Sequence, residues 1–112
     1  MHREIEYEND LKTGYIKEYD SEGQLIFEGK YVNDKRNGKG KEYYKKELIF
    51  EGEYLYDSRL KGKYYVNKKL EYEGDFLYNK KWNGKGYDEK HNIIYELKNG
   101  NGKVKEYINI SK

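Results

Sequence analysis

Aromatic and charged residues alternate with period two along three long segments of the chain. Phe27, Gly29 and Tyr31 fall on one side and Glu28, Lys30 and Val32 on the other. The arrangement returns with Phe50, Gly52, Tyr54 and Tyr56 against Glu51, Glu53 and Leu55. It returns again with Tyr72, Gly74, Phe76 and Tyr78 against Glu73, Asp75 and Leu77. Period two is the strand signal, and no segment carries a useful helical period. Turn residues follow each segment, at Asn33-Asp34, Asp57-Ser58 and Asn79-Lys80. A second, shorter strand is predicted to start near Gly40, Gly62 or Gly86. A tight turn (Lys45–Glu47, Asn67–Lys69, Glu89–Asn92) then leads onward. Each unit therefore reads as one β-hairpin.

The hairpins are copies of one another: Phe50 lies 23 positions after Phe27, and Tyr72 lies 22 after Phe50. The units run 4–24, 25–47, 48–69, 70–92 and 93–112. An isolated hairpin is marginal in water, so the units must stack edge to edge. The expected fold is all-β, a single-layer twisted antiparallel meander forming one domain over 1–112. Glycine between two aromatics leaves a notch across which a neighbouring ring can lie. Glu28, Glu51, Glu73 and Glu96 would form a like-charge ladder, and Lys41 and Lys63 on the intervening strands are placed to offset it.

A longer period links the ends. Ile5-Glu6-Tyr7-Glu8 recurs as Ile93-Ile94-Tyr95-Glu96, Gly14 as Gly102, and Lys17-Glu18-Tyr19 as Lys105-Glu106-Tyr107, all offset by 88 positions. This pattern suits two matched caps, or one superperiod followed by the start of the next, and the second reading is the simpler.

Composition narrows the chemistry. There is no cysteine, which excludes disulfides, thiolate metal sites and cysteine nucleophiles. No stretch approaches the roughly 20 apolar residues of a membrane span, nothing resembles a signal peptide, and a cytoplasmic location is expected. High charge with few aliphatics is a disorder signature, but fifteen tyrosines recurring in phase argue for a packed sheet. A net charge of +2 supplies no field for nucleic acid. His2 and His91 are isolated, the glutamates share one environment rather than two, and the paired glycines at 38/40, 84/86 and 100/102 lack a following helix. No enzyme activity, metal or cofactor is expected.

The motif Phe/Tyr-Glu-Gly-x-Tyr/Phe, a basic turn, and Asn37-Gly38-Lys39-Gly40 or Asn83-Gly84-Lys85-Gly86 at this period resembles the MORN repeat (membrane occupation and recognition nexus). Units 25–47, 48–69 and 70–92 carry the resemblance. Leu60-Lys61 replaces Asn37-Gly38 in the second, and Trp82 reads as an insertion in the third turn. The segment from Tyr43-Tyr44 to Glu51-Gly52 also resembles a bacterial, antitoxin-like variant. The resemblance implies a single-layer sheet, often dimeric, that serves as a protein-binding scaffold or contacts phospholipid.

Two surfaces are candidates. An aromatic face (Phe27, Tyr31, Phe50, Tyr54, Tyr56, Tyr72, Phe76, Tyr78) would bind a protein partner or a second copy, if its rings do not simply pack on one another. A basic edge (Lys35, Arg36, Lys39, Arg59, Lys61, Lys80, Lys81, with Trp82) would contact anionic lipid, if it is not merely a solubilising rim. The leading expectation is a non-catalytic scaffold that self-associates. The alternatives are a peripheral membrane module and an antitoxin-like protein that binds a toxic enzyme.

Overall fold

The computed structural model describes residues 6–8 and 11–104, and within these the chain is entirely β. The strands are β1 (Glu6–Glu8), β2 (Leu11–Tyr19), β3 (Leu25–Val32), β4 (Lys35–Tyr44), β5 (Glu47–Leu55), β6 (Ser58–Val66), β7 (Lys69–Leu77), β8 (Lys80–Tyr87), β9 (Ile93–Lys98) and β10 (Asn101–Val104). They pair antiparallel in chain order into one open sheet measuring 53 × 29 × 18 Å. The expected meander of hairpins is the observed architecture. His2, Ile5, Lys105-Glu106-Tyr107 and Ser111 lie outside the described residues.

The second strand of each hairpin is not short. It begins at Lys35, Ser58 or Lys80, directly after a two-residue turn. Those turns are Asn33-Asp34, Tyr56-Asp57 and Tyr78-Asn79, with both residues at positive φ. Two positive φ values define the hairpin turn whose twist matches the flanking strands. Two of the three turns thus sit one residue earlier than composition suggests, and the basic segments that follow are strand, not turn. On the opposite side two tight turns, Lys45-Lys46 and Asn67-Lys68, lie between two wider loops at 20–24 and 88–92. In each loop an aspartate (Asp20, Asp88) accepts two backbone N–H groups.

Hairpins are stitched to their predecessors through these turns. The Asp34 carboxylate accepts from the N–H of Lys12 at 2.6 Å, Asp57 from Arg36 at 2.8 Å, and the Asn79 side-chain carbonyl from Arg59 at 3.0 Å. The Asp34 and Asp57 N–H groups return a bond to the carbonyls of Lys12 and Arg36. A turn residue with a short acceptor side chain is what this staple requires.

One row of register partners explains how a single layer acquires a core. Ile16, Gly29, Gly40, Gly52, Gly62, Gly74, Gly84 and Leu97 stand opposite one another across eight strands. Over this backbone floor lies a chain of edge-to-face rings: Tyr31–Phe27 at 6.0 Å, Phe27–Tyr54 at 5.4 Å, Tyr54–Phe50 at 5.5 Å, Phe50–Phe76 at 5.4 Å and Phe76–Tyr72 at 5.3 Å. With Ile16, these six rings are the buried core. Each such ring pair contributes about 0.5–1.5 kcal/mol beyond area burial. The register also corrects the repeat alignment: Gly84, not Gly86, shares the row of Gly40 and Gly62.

Candidate interaction surface

The two faces of the sheet differ in what they leave open. On the aromatic face, a bulge of one or two extra residues in each second strand turns Arg36, Arg59 and Lys81 towards the rings, opposite Tyr31, Tyr54 and Phe76. Arg36 lies 4.1 Å from the Phe27 ring centre and bonds Glu18 at 2.7 Å. Arg59 lies 4.7 Å from the Phe50 centre and grips Glu42 with two bonds of 2.9 Å. The Tyr31 and Tyr54 hydroxyls donate to the same two carboxylates. Burial pushes Glu42 up, but Arg59 and Tyr54 outweigh it and leave the carboxyl below its ordinary range. Burial and Glu18 raise the Tyr31 hydroxyl to about 12. These cations form a lid over the aromatic face, and the rings beneath it are buried.

The proposed site residues are therefore divided. Phe27, Tyr31, Phe50, Tyr54, Tyr72 and Phe76 come together as core beneath the cationic lid. Tyr56 and Tyr78 are the first turn residues and stand 68% and 82% exposed. The eight residues of the basic edge are not brought together on one edge. Arg36, Arg59 and Lys81 belong to the lid, and Lys39 and Lys61 stand opposite Glu53 on the other face. Lys35 and Lys80 are exposed at strand starts. Trp82 is a half-buried bulge residue in β8, not a turn insertion, and its ring packs under Gly100.

The opposite face carries two charged rows. Along one side of the glycine floor, Lys17, Glu28, Lys41, Glu51, Lys63, Glu73, Lys85 and Glu96 stand in register with alternating sign. The glutamate ladder is thus interleaved with lysine, and Lys85 extends the offset expected from Lys41 and Lys63. On the other side stand Lys39, Glu53, Lys61 and Asp75. Together these rows wall a groove of about 600 Å³ floored by glycine backbone. Each of four successive strands presents one sign at the groove: β4 positive, β5 negative, β6 positive, β7 negative. At its rim Glu28 accepts from the Tyr15 and Tyr43 hydroxyls at 2.6 and 2.7 Å, which with Lys17 and Lys41 holds its carboxyl below the ordinary value.

Beyond the Glu53–Lys61–Asp75 wall lies a second, apolar depression lined by Leu60, Leu77 and Trp82. Leu55 and Tyr56 repeat the positions of Leu77 and Tyr78 one unit earlier, and Leu55, Leu60 and Leu77 are all exposed. This strip of leucines and tyrosines on the turn side was not singled out from the sequence as a surface, although Leu55 and Leu77 sit at matching phase among charged residues. Among the described residues no cluster of His, Asp or Glu is placed to hold a metal ion, and no helix is long and apolar enough to cross a membrane. No protein-family model, curated protein or solved structure matches the chain.

Proposed function

We propose that the chain is a non-catalytic interaction scaffold built of MORN-like repeats, and that its first partner is a second copy of itself. The observation that carries this reading is the exposed strip of Leu55, Tyr56, Leu60, Leu77 and Tyr78 beside the charge-banded groove. Exposed tyrosine and leucine bordering a polar surface is the make-up of a protein interface. Tyr56 and Tyr78 sit at φ 47° and 52°, a region that costs a bulky residue about 1–2 kcal/mol, and such positions cluster where function maintains them.

The bands favour a second copy because they are self-complementary. A two-fold axis along the strands between β5 and β6 sets Glu51 and Glu53 opposite the partner copy's positive β6 band. The same rotation brings Lys39 and Lys41 opposite its negative β7 band. An axis across the strands faces like charge with like, so the banding selects one arrangement of the pair.

Sedimentation velocity over a concentration series tests this. Self-association is expected, weakening as salt rises because the bands are solvent-accessible before contact. Tyr56→Asn together with Tyr78→Asn should weaken it further while leaving the fold intact, since asparagine tolerates positive φ. A protein that stays monomeric into the high micromolar range refutes the self-association reading. If that monomer pellets with anionic vesicles, the membrane alternative takes its place.

A further inference from the structure

The third lid position differs from the other two in four residues at once. Where the first two positions use arginine over a carboxylate–tyrosine pair, the third has Lys81 with Phe76 in place of the tyrosine. The cross-strand row that holds Glu18 and Glu42 continues with Tyr64 and then Gly86. Gly86 is what admits the next ring, because a Cβ there would stand 2.0 Å from Tyr95, so the Tyr95 ring lies across it. The Lys81 ammonium consequently sits among three tyrosine rings, at 5.5 Å from the centre of Tyr64, 5.4 Å from Tyr72 and 5.7 Å from Tyr95. It bonds the Glu71 carboxylate at 2.6 Å and donates to the Tyr95 hydroxyl at 3.0 Å, and that hydroxyl donates to Glu71 at 2.8 Å.

Three ring faces and one carboxylate around a compact cation is the arrangement that recognises alkylated ammonium groups. Arg36 and Arg59 each lie nearest one ring, at 4.1 and 4.7 Å, with further rings at 5.5–5.8 Å, whereas the rounded Lys81 ammonium is met by three rings at nearly equal distance. We propose that Tyr64, Tyr72, Tyr95 and Glu71 form a binding site for methylated ammonium ligands, which Lys81 occupies as a built-in competitor. The Lys81 and Glu71 side chains are 33% and 26% exposed, so the site opens to solvent once the lysine swings out. The ligand class is a trimethylammonium group, carried either by a choline-type headgroup or by a methylated lysine side chain. This site lies on the face opposite the groove and stands independently of self-association.

The test is a titration of tetramethylammonium chloride followed by the ring-proton shifts of Tyr64, Tyr72 and Tyr95, with sodium chloride as the ionic control. Lys81→Ala removes the tethered competitor and should bind the probe at least about tenfold more tightly than the unsubstituted chain. Adding Tyr64→Leu to that variant should abolish the gain. Choline and a trimethyl-lysine peptide, titrated in parallel, then identify which carrier is preferred. A folded Lys81→Ala protein that does not bind the probe, or whose binding ignores Tyr64→Leu, overturns the proposal. Should Lys81→Ala fail to fold, Lys81→Met keeps the aliphatic stem over the rings and the same outcomes apply. Should both fail, the unsubstituted chain decides: saturable shifts confined to the three rings support the site, and their absence at molar probe rejects it.

Discussion

Substitution of Gly52 by alanine puts the glycine floor to a direct test, because local and tertiary arguments give opposite signs. Replacing glycine inside a strand ordinarily stabilises by about 0.5–1 kcal/mol through the unfolded chain. At Gly52, however, a Cβ would stand 2.1 Å from the Lys61 carbonyl oxygen, 2.6 Å from the Gly62 Cα and 2.9 Å from the tip of Phe50, where ordinary contact is 3.4–4 Å. Two of these neighbours are backbone and cannot rotate away, so β5 and β6 must part by roughly 1 Å. Overpacking of this kind costs about 1–3 kcal/mol, and each weakened ladder bond beside it adds about 1 kcal/mol. The expected loss is about 3–4 kcal/mol, a large part of the roughly 5–15 kcal/mol that holds a domain together. Gly23→Ala is the control. Its φ is positive, 85°, but nothing lies within 4 Å, so only backbone strain of about 1–2 kcal/mol applies. Urea titrations followed by far-ultraviolet circular dichroism measure both. A Gly52→Ala protein no less stable than Gly23→Ala would show that the strands do not approach as described, and the account of the core would fall with it.

Four further outcomes follow from the same structure. Glu28 and Glu42 have depressed carboxyl values when folded, so their contribution is present above the ordinary glutamate range and is lost as pH falls through the depressed values; thermal melts across acid pH should show it. Tyr15, bonded to Glu28, and Tyr31, buried beside Glu18, are raised from 10.0 to about 12, so their contribution is full below 10 and disappears as pH rises through 12. Tyrosinate absorbance and circular dichroism should therefore change together in that window, and separate titrations would contradict the assignment. Lys41→Glu places three like charges in register with Glu28 and Glu51 and should cost roughly 0.5–2 kcal/mol, less in high salt; a salt-independent loss would point to packing instead. Tyr54→Phe removes one donor to the half-buried Glu42 carboxylate and should cost about 1–2 kcal/mol, whereas Phe76→Tyr gains little because Tyr64 stands where a carboxylate would have to be; equal effects in a urea titration would refute the pairing.

The parts of the fold legible in the sequence are those that depend on alternation alone. Phe27, Tyr31, Phe50, Tyr54, Tyr72 and Phe76 share a face because each pair lies an even number of positions apart within a strand, and the lysines at 41 and 63 fall between glutamates for the same reason. What alternation does not carry is register. Bulges beside Gly40, Gly62 and Gly84 shift the pairing, and this turns Arg36, Arg59 and Lys81 from an apparent basic rim into the lid over the rings. The turns were displaced by one residue at two of three positions because tyrosine is a poor residue for positive φ, so composition pointed past Tyr56 and Tyr78 to Asp57-Ser58 and Asn79-Lys80. The exposed strip was hidden for the same reason: the rings assigned to the strand face belong to the turns. Neither the tyrosine cage nor its lysine occupant was legible, since Tyr64, Tyr72 and Tyr95 come from three strands and meet only through the notch at Gly86.

Because every strand pairs only with its neighbours in the chain, the order of the sheet is also the order in which it would come apart under load. Tension applied through the first and last strands acts on the two outer edges, so ladder bonds open one after another, as in peeling, instead of sharing the force in shear. The aspartate and asparagine staples that join successive turns divide that peeling into steps of one hairpin, each releasing roughly 70 Å of chain. A protein laid out in this way yields gradually at low force and re-forms from whatever hairpins remain, with short-range contacts that favour rapid closure. In mechanical terms it is a ratcheted extension spring, not a clamp.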